Sequence, residues 1–494
     1  MMSRSNCGSG SKKDILLIMP PIRQDWDTAY KRRLPTTLLF LANYLYQHGH
    51  LSTIIDCYTL DYSLEEYLNK IRHYNPRVVG FTCCTQSRFI TYQMIRKTKE
   101  LFPRTKIVVG GPHFTPTAKE ALERIPEIDV VVLGDGEETL LELLEAYDSN
   151  GQIDAINGIA FRKDGQIVFT KSRQMSAILN GCYDPKQFLI WNDRYTPFID
   201  ARNMPGQQAL PVFTSVGCWF KCVYCNYSQR PHLRLKSVDD VIKEVEWKQR
   251  KYNHNTFQFV AADFMAKKDY VKELCRKLME LKPVPQWWTM GRADSDPSIL
   301  QLMKKAGCYN FEFGLESGSK KILKIIRKNL NPEHVVAYAK ECHRLGIRSS
   351  IFLMVSLPGE TREDIDETKR IVKKLRSYVS AFLVYDTVIY PGTELEVMAR
   401  NKGILPADFS WYEDIPGGSS MDVSAVPAYY EHFTPAQVGN SICEITALSE
   451  KKITKRLLKL FIIKMQKGNM MRYMRKFPGI HNFLKLVRKY ILES

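Results

Sequence analysis

The chain has 494 residues, 44% hydrophobic and 25% charged, and a formal net charge of +18. That length suits about three domains, and the composition excludes a disordered or fibrous chain. Twelve cysteines show no paired framework outside one triplet, and no apolar run approaches the roughly 18 residues of a membrane span, so the expectation is a cytoplasmic protein.

Residues 1–13 are polar, without the apolar core of a signal peptide, and read as a disordered lead. Ile15-Leu16-Leu17-Ile18-Met19, stopped by Pro20-Pro21, has the continuous apolar pattern of a parallel strand buried on both faces. Helical spacing follows over Leu38–His48, a strand over Leu51–Asp56, a helix over Leu64–Tyr74 and a strand over Arg77–Thr82. Another helix covers Ile90–Phe102, and strands at Lys106–Val109 and Asp129–Leu133 end in Gly110-Gly111-Pro112-His113 and Gly134-Asp135-Gly136-Glu137. This alternation predicts a doubly wound, Rossmann-like α/β domain over residues 14–150, with a ligand edge at the carboxyl ends of its strands. Residues 151–205 read as a connector with an Asp164-Gly165 hairpin turn.

Leu210–Val216 is strand-like and runs into Gly217-Cys218-Trp219-Phe220-Lys221-Cys222-Val223-Tyr224-Cys225. Three thiols at C-x3-C-x2-C spacing on one turn are soft ligands for zinc or an iron-sulfur cluster. A closed site usually takes four protein ligands, and no fourth Cys or His follows at short range, so the site looks open. The bland alternative is a structural zinc knuckle. Further strands are predicted at 257–261, 286–291, 310–315, 347–357 and 382–389, giving six β/α units over 206–395, a partial (β/α)6 barrel. The cysteines, Asp263, Arg292, Glu316-Ser317 and Ser356–Glu360 all fall at strand C-termini, where such barrels do chemistry.

The cysteine spacing, with Tyr224 before the last thiol, resembles the signature of the radical S-adenosylmethionine (SAM) superfamily. The run from Pro21 to His50, then V-V-G-F-T, V-V-G-G-P-H-F-T and L-G-D-G-E-E-T-L, is similar to the cobalamin-binding domain of the B12-dependent members. The resemblance implies a [4Fe-4S] cluster on Cys218, Cys222 and Cys225 whose unique iron chelates SAM and cleaves it to a 5'-deoxyadenosyl radical. It places Asp263, Arg292, Glu316 and Ser317 about SAM, Arg292 suiting a carboxylate through its planar fork. Thr82, Gln86, Gly110, Gly111 and His113 fall along cobalamin, the glycines admitting close backbone approach. On their own residues His113, His232 and His254 read as structural or solvent-facing. Two departures stand out: Ala262 replaces the first member of an acidic pair before Asp263, and Pro20–Tyr30 holds no axial-ligand His, so cobalamin is expected base-off.

The expected function is methylation of an unactivated carbon by a cobalamin-dependent radical SAM enzyme. The rivals are a non-methylating rearrangement or cyclisation, a methylthiotransferase using Cys7, Cys57 and Cys83 for a second cluster, and a non-catalytic cobalamin or redox sensor. An electron donor such as flavodoxin or ferredoxin is implied as partner. Between Glu450 and Ser494 stand 13 Lys or Arg against 2 Glu. There Ile453, Leu457, Leu460, Phe461 and then Ile480, Phe483, Leu484, Val487, Ile491 recur at helical spacing among the cations. These basic amphipathic helices in the C-terminal region 396–494 lead to the expectation of peripheral contact with the inner face of a membrane and a lipid substrate. Basic residues interleaved with aromatics on a binding face occur nowhere before the tail, so no nucleic acid is expected.

Overall fold

The computed structural model describes residues 14–22, 34–173, 187–190, 209–226, 232–294, 296–413 and 426–449. The lead, most of the second half of the connector and the basic tail, with the membrane expectation it carries, lie outside the described residues. Two compact units divide the chain, Met1–Leu210 with Asp408–Val426, and Pro211–Ala407 with Pro427–Ser494.

The first unit is a seven-stranded sheet made of β1 (Ile15–Met19), β2 (Ser52–Asp56), β3 (Val78–Thr82), β4 (Lys106–Gly110), β5 (Val130–Val132), β6 (Ile159–Lys163) and β7 (Gln166–Phe169), in the order β2-β1-β3-β4-β5-β6-β7. The first five run parallel and the last two join antiparallel. Between them lie α1 (Thr36–Gln47), α2 (Cys57–Leu60), α3 (Leu64–Ile71), α4 (Arg88–Leu101), α5 (Ala118–Arg124) and α6 (Glu137–Asp148). Leu16, Ile18, Val79, Phe81, Ile107, Val109 and Val131 line one face of the sheet against Tyr67, Ile95 and Leu122. Local sequence sets the ends: Ser63 and Glu66 form a reciprocal capping box that starts α3. The order reverses between β1 and β3, the switch point at which open α/β sheets bind ligands beyond the strands' carboxyl ends.

Two features differ from the sequence reading. The Asp164-Gly165 hairpin, assigned to a connector, is part of the first sheet, because β6 pairs with β5 through Val130–Phe161 and Val132–Ile159. Residues 408–413, assigned to the C-terminal region, return to the first unit as a strap over α4 and α5. Arg88, fully buried, donates from Nε to the Trp411 carbonyl (3.0 Å) and from Nη1 to Thr85 O (3.0 Å). Tyr412 stacks on Tyr92 at 4.7 Å and shares a 2.8 Å hydrogen bond with Thr117 Oγ1, while Glu120 accepts from the Ser410 hydroxyl and the Trp411 N–H. Burying Trp411 and Tyr412 removes large apolar surfaces from water, which holds the strap down.

The second unit holds a six-stranded sheet in the order β15-β14-β13-β12-β11-β8. Its strands are β8 (Leu210–Phe213), β11 (Thr256–Val260), β12 (Gln286–Gly291), β13 (Cys308–Glu316), β14 (Arg348–Val355) and β15 (Ala381–Asp386); β9 (Ser215–Val216) and β10 (Arg234–Leu235) form a small antiparallel clasp. Helices α7 (Val238–Tyr252), α8 (Lys268–Glu280), α9 (Ile299–Lys305), α10 (Lys320–Ile325), α11 (Pro332–Arg344) and α12 (Arg362–Leu375) alternate with the strands, and α13 (Glu394–Asn401) and α14 (Pro435–Ser449) follow. Pairing is parallel from β11 to β15. Strands and helices therefore alternate as the six-unit reading expects, and the loops that follow β11 to β15 open on one end. Among the described residues no helix is long and apolar enough to cross a membrane.

Candidate active site

The cysteine turn leaves β9 and is pinned from three sides. The β9/β10 clasp holds its start, the Val223 N–H donates to Ile326 O (3.2 Å), and the Leu395 N–H donates to Val223 O (2.9 Å). Behind the clasp lies a buried ion triad: Glu244 takes Lys236 on one oxygen and Lys248 on the other, and Lys248 also reaches Pro211 O at 2.6 Å. Burial raises the Glu244 carboxyl, but the two ammonium groups outweigh it and hold its pKa below the ordinary value. The triad ties α7 to the strand that feeds the turn.

On the turn Cys222 is buried and Cys218 and Cys225 are partly exposed; the Cys225 N–H closes it on Cys222 O at 3.1 Å. Burial pushes the Cys218 thiol up. Among the described residues no three His, Cys, Asp or Glu side chains form one ready ligand set. The three thiols are neighbours on one short turn.

Four strand ends gather polar groups beside them. Arg292 follows β12; its guanidinium lies over the Phe220 ring at 3.9 Å, Nε donates to Asp294 (2.6 Å) and Nη2 to Lys328 O (2.6 Å). Among the described residues its Nη1 is buried with no hydrogen-bond partner. A buried unsatisfied guanidinium nitrogen is costly in isolation and suits an incoming carboxylate. Asp263, after β11, accepts from the Arg292 N–H (2.9 Å) and the Met265 N–H (3.1 Å), and burial raises its pKa. In this structure it holds the Arg292 backbone and caps a short helical turn.

Glu316 ends β13 at φ +68°, past a register shift between Gly314 and Glu316 that turns its carboxylate back along the strand. Lys328 pairs with it at 3.0 Å, both side chains being 9% exposed. A Cβ at Gly314 would meet the Glu316 carboxylate and come within 2.9 Å of Lys328 Nζ, so a larger residue there would push this pair aside. Tyr224, inside the cysteine motif, has its phenol pKa raised by burial and by Glu316, to which it is hydrogen-bonded. Ser317 turns the other way: fully buried, its hydroxyl bonds to Thr368 Oγ1 (3.3 Å) and the Ser319 N–H (3.2 Å), so it holds the loop and has no free face toward a ligand. At β14, Glu360 accepts from the Ser356 and Leu357 N–H groups at 2.7 and 3.2 Å, closing a turn in which Ser356 has φ +66°. Burial pushes its carboxyl up to about 8.

In the first unit the loops after β3 and β4 are sewn together. The Cys83 N–H donates to Gly110 O and the His113 N–H to Cys83 O, each at 3.1 Å. Gly111 sits at φ +95°, and a Cβ there would lie 2.7 Å from Thr82 Oγ1 and 3.0 Å from Cys83 N, so only glycine fits. Thr82, Gln86, Gly110 and Gly111 remain partly exposed on the carboxyl edge of the sheet. The crowding at Gly111 packs the loop after β4 against the loop after β3. His113 does not join them. It is fully buried, with Nε2 2.6 Å from the Tyr92 hydroxyl and Nδ1 3.3 Å from Thr85 Oγ1, and burial holds its pKa well below the ordinary value. His113 is thus a structural residue beneath the strap, which corrects its place among the cobalamin contacts. His232 is exposed and His254 packs edge-on to Phe257. Of the three cysteines considered for a second cluster, Cys57 and Cys83 are buried thiols and Cys7 lies outside the described residues.

Sequence reasoning missed Lys328, the Glu244 triad, the Phe220 platform and the strap. Lys328 has no motif to mark it, whereas Phe220 sits inside the cysteine signature.

Residues 212–372 match the Radical SAM superfamily model and residues 31–144 match the B12 binding domain model. An uncharacterized methyltransferase of Pyrococcus horikoshii is 27% identical over 433 residues, covering 86% of this chain and 89% of its own length. The anaerobic magnesium-protoporphyrin IX monomethyl ester cyclase of Rubrivivax gelatinosus is 26% identical over 364 residues, covering 71% of this chain; the chain spans 64% of that protein, just under two thirds of its length. Among solved structures, the radical S-adenosylmethionine methyltransferase TsrM from Kitasatospora setae, with cobalamin and a [4Fe-4S] cluster bound, superposes with a TM-score of 0.71 at 16% identity, covering 89% of this chain and 92% of that one. With both family models matched in order along one chain, and an open three-thiol turn at the head of the barrel, the protein belongs to the cobalamin-dependent radical SAM enzymes, with a [4Fe-4S] cluster, SAM and cobalamin as its cofactors.

Proposed function

We propose that the protein methylates an unactivated carbon of its substrate. The observation that carries the reading is the gathering, in one barrel mouth, of three thiols on a pinned turn and the unpartnered Nη1 of Arg292, in a chain that also carries a B12-type domain. When bound, the cluster supplies a one-electron reduction, SAM the hydrogen-abstracting and methyl groups, and cobalamin a methyl carrier.

The chain's own residues divide the remaining work. Cys218, Cys222 and Cys225 hold the cluster, and Val223 and the Glu244 triad fix their turn. Arg292, oriented by Phe220, Asp294 and the Lys328 carbonyl, receives the SAM carboxylate on Nη1. Glu316, held in place by its 3.0 Å pair with Lys328, accepts from the SAM ammonium or ribose hydroxyls. Asp263 acts through Arg292 as a positioning residue. Thr82, Gln86, Gly110 and Gly111 present the polar edge on which the corrin rests.

The experiment is anaerobic reconstitution of the full chain with iron and sulfide, followed by SAM and a reductant. 5'-Deoxyadenosine and S-adenosylhomocysteine should both accumulate, and methyl label from SAM should enter product. Neither compound forming on an intact cluster would sink the reading; 5'-deoxyadenosine without methyl transfer would favour a cyclisation or rearrangement, the class to which the cyclase relative's name belongs. We also keep the basic tail as a membrane contact that brings a lipid substrate to the barrel. Equal vesicle co-sedimentation by the full chain and a version ending before Lys451 would remove it.

A further inference from the structure

We propose that the outer side of the cysteine turn is the docking surface for an acidic one-electron carrier protein of the flavodoxin or ferredoxin kind. The inference rests on the cluster reading above and adds where the electron enters. Three segments meet at this place. The Val223 backbone bonds to Ile326 on one side and Leu395 on the other, Arg327 and Glu394 close the two helix ends with paired bonds of 2.6 and 2.7 Å, and Cys222 Sγ lies 4.0 Å from the Arg327 carbonyl. The end of α10 and the start of α13 are thus laid directly against the thiol turn.

These segments leave apolar side chains partly open to water: Trp219 at 49% exposure, Ile325 at 37% and Val397 at 56%. Around them Lys221, Lys320, Lys321, Lys324 and Arg327 are all exposed. Lys321 pairs with Asp364 and Arg327 with Glu394, but Lys221, Lys320 and Lys324 form no ion pair with any carboxylate among the described residues. An apolar centre with a polar rim is the anatomy of a protein interface, and a cationic rim selects and steers an anionic partner. A carrier that must leave after each electron requires a small, quickly exchanging encounter, below about 1,200 Å² in total, and three partly exposed apolar side chains with a cationic rim suit one. A lipid surface would need a continuous amphipathic face, and α10, Lys320–Ile325, is too short to offer one. In the transfer one electron leaves the carrier and enters the oxidised cluster, whose charge falls by one; no bond breaks and no proton crosses.

The test uses the full chain, reconstituted anaerobically. Iron is counted first, since far fewer than about four per chain removes the cluster reading itself. With an acidic flavodoxin as probe, carbodiimide, which joins carboxylates to lysines in contact, should cross-link it at Lys221, Lys320 or Lys324. The triple variant Lys221→Glu, Lys320→Glu, Lys324→Glu should bind flavodoxin about tenfold more weakly at low salt, with a flatter salt dependence. Its cluster should be reduced more slowly by reduced flavodoxin but at the parent rate by dithionite. The same charge change at Lys243, Lys305 and Lys373, on α7, α9 and α12, should alter binding no more than about twofold. Equal loss in both triples, cross-links confined to other lysines, equal slowing with dithionite, or capture by anionic vesicles with no flavodoxin binding would each overturn the proposal.

Discussion

Glu360 gives the sharpest stability prediction, because a buried carboxyl pushed up to about 8 must leave a mark on the pH profile of the second unit. An ordinary glutamate titrates near 4.5. Between that pH and about 8 the folded protein therefore holds a proton that the unfolded chain has lost, so stability is fully present below 4.5 and falls as pH rises through the window. The whole window corresponds to about 5 kcal/mol, of which about 2.5 kcal/mol falls between pH 6 and pH 9. Glu360→Gln keeps a carbonyl to accept from the Ser356 and Leu357 N–H groups and carries no charge at any pH. At pH 6 it should match the parent within about 1 kcal/mol, and by pH 9 the gap should have moved in its favour by about 2.5 kcal/mol. Urea unfolding followed by the fluorescence of buried Trp287 and Trp288, with both proteins equally loaded, reads the difference. Parallel curves across pH 6–9 would refute the argument that Glu360 is folded in as a neutral acid.

Three further outcomes follow from the same geometry. His113 is buried neutral, its pKa well below 6.5, so the first unit should lose stability as pH falls through about 6.5 and the unfolded chain takes up a proton the folded one refuses; His113→Gln should flatten that slope. Glu244→Ala, which strands two buried ammonium groups, should cost about 3–5 kcal/mol, whereas Lys236→Met, Glu244→Leu, Lys248→Met together should cost far less, both read from denaturation midpoints. Gly111→Ala, strained at φ +95° and driven against Thr82, should lower cobalamin retention on gel filtration while leaving the iron content unchanged.

The architecture was legible because parallel strands covered on both faces read as continuous apolar runs, and Ile15–Met19, Val78–Thr82 and Lys106–Gly110 all do. The hairpin was legible as a hairpin, but periodicity does not say which sheet a strand joins, so β6 and β7 went to a connector. Among site residues, chain proximity to a motif marked Glu316 and Ser317 alike, yet the backbone turn at the end of β13 sends one side chain to Lys328 and the other to Thr368. His113 misled for the same reason: it stands in the right loop and points inward. Long-range partners such as Lys328 for Glu316, or Trp411 for Arg88, are set by tertiary packing that a single sequence does not encode locally.

The strap over α4 and α5 also fixes an order of events in time. A ribosome adding about 5–20 residues per second makes the whole second sheet before it reaches Trp411, about 240 residues after Arg173 closes the first sheet's hairpin region. For about 12–48 s the nascent first unit therefore holds Arg88, Tyr92 and His113 in an uncovered groove. A fragment ending at Leu210 would stay in that condition permanently, binding hydrophobic dyes and chaperones, and supplying residues 408–413 as a separate peptide should close it.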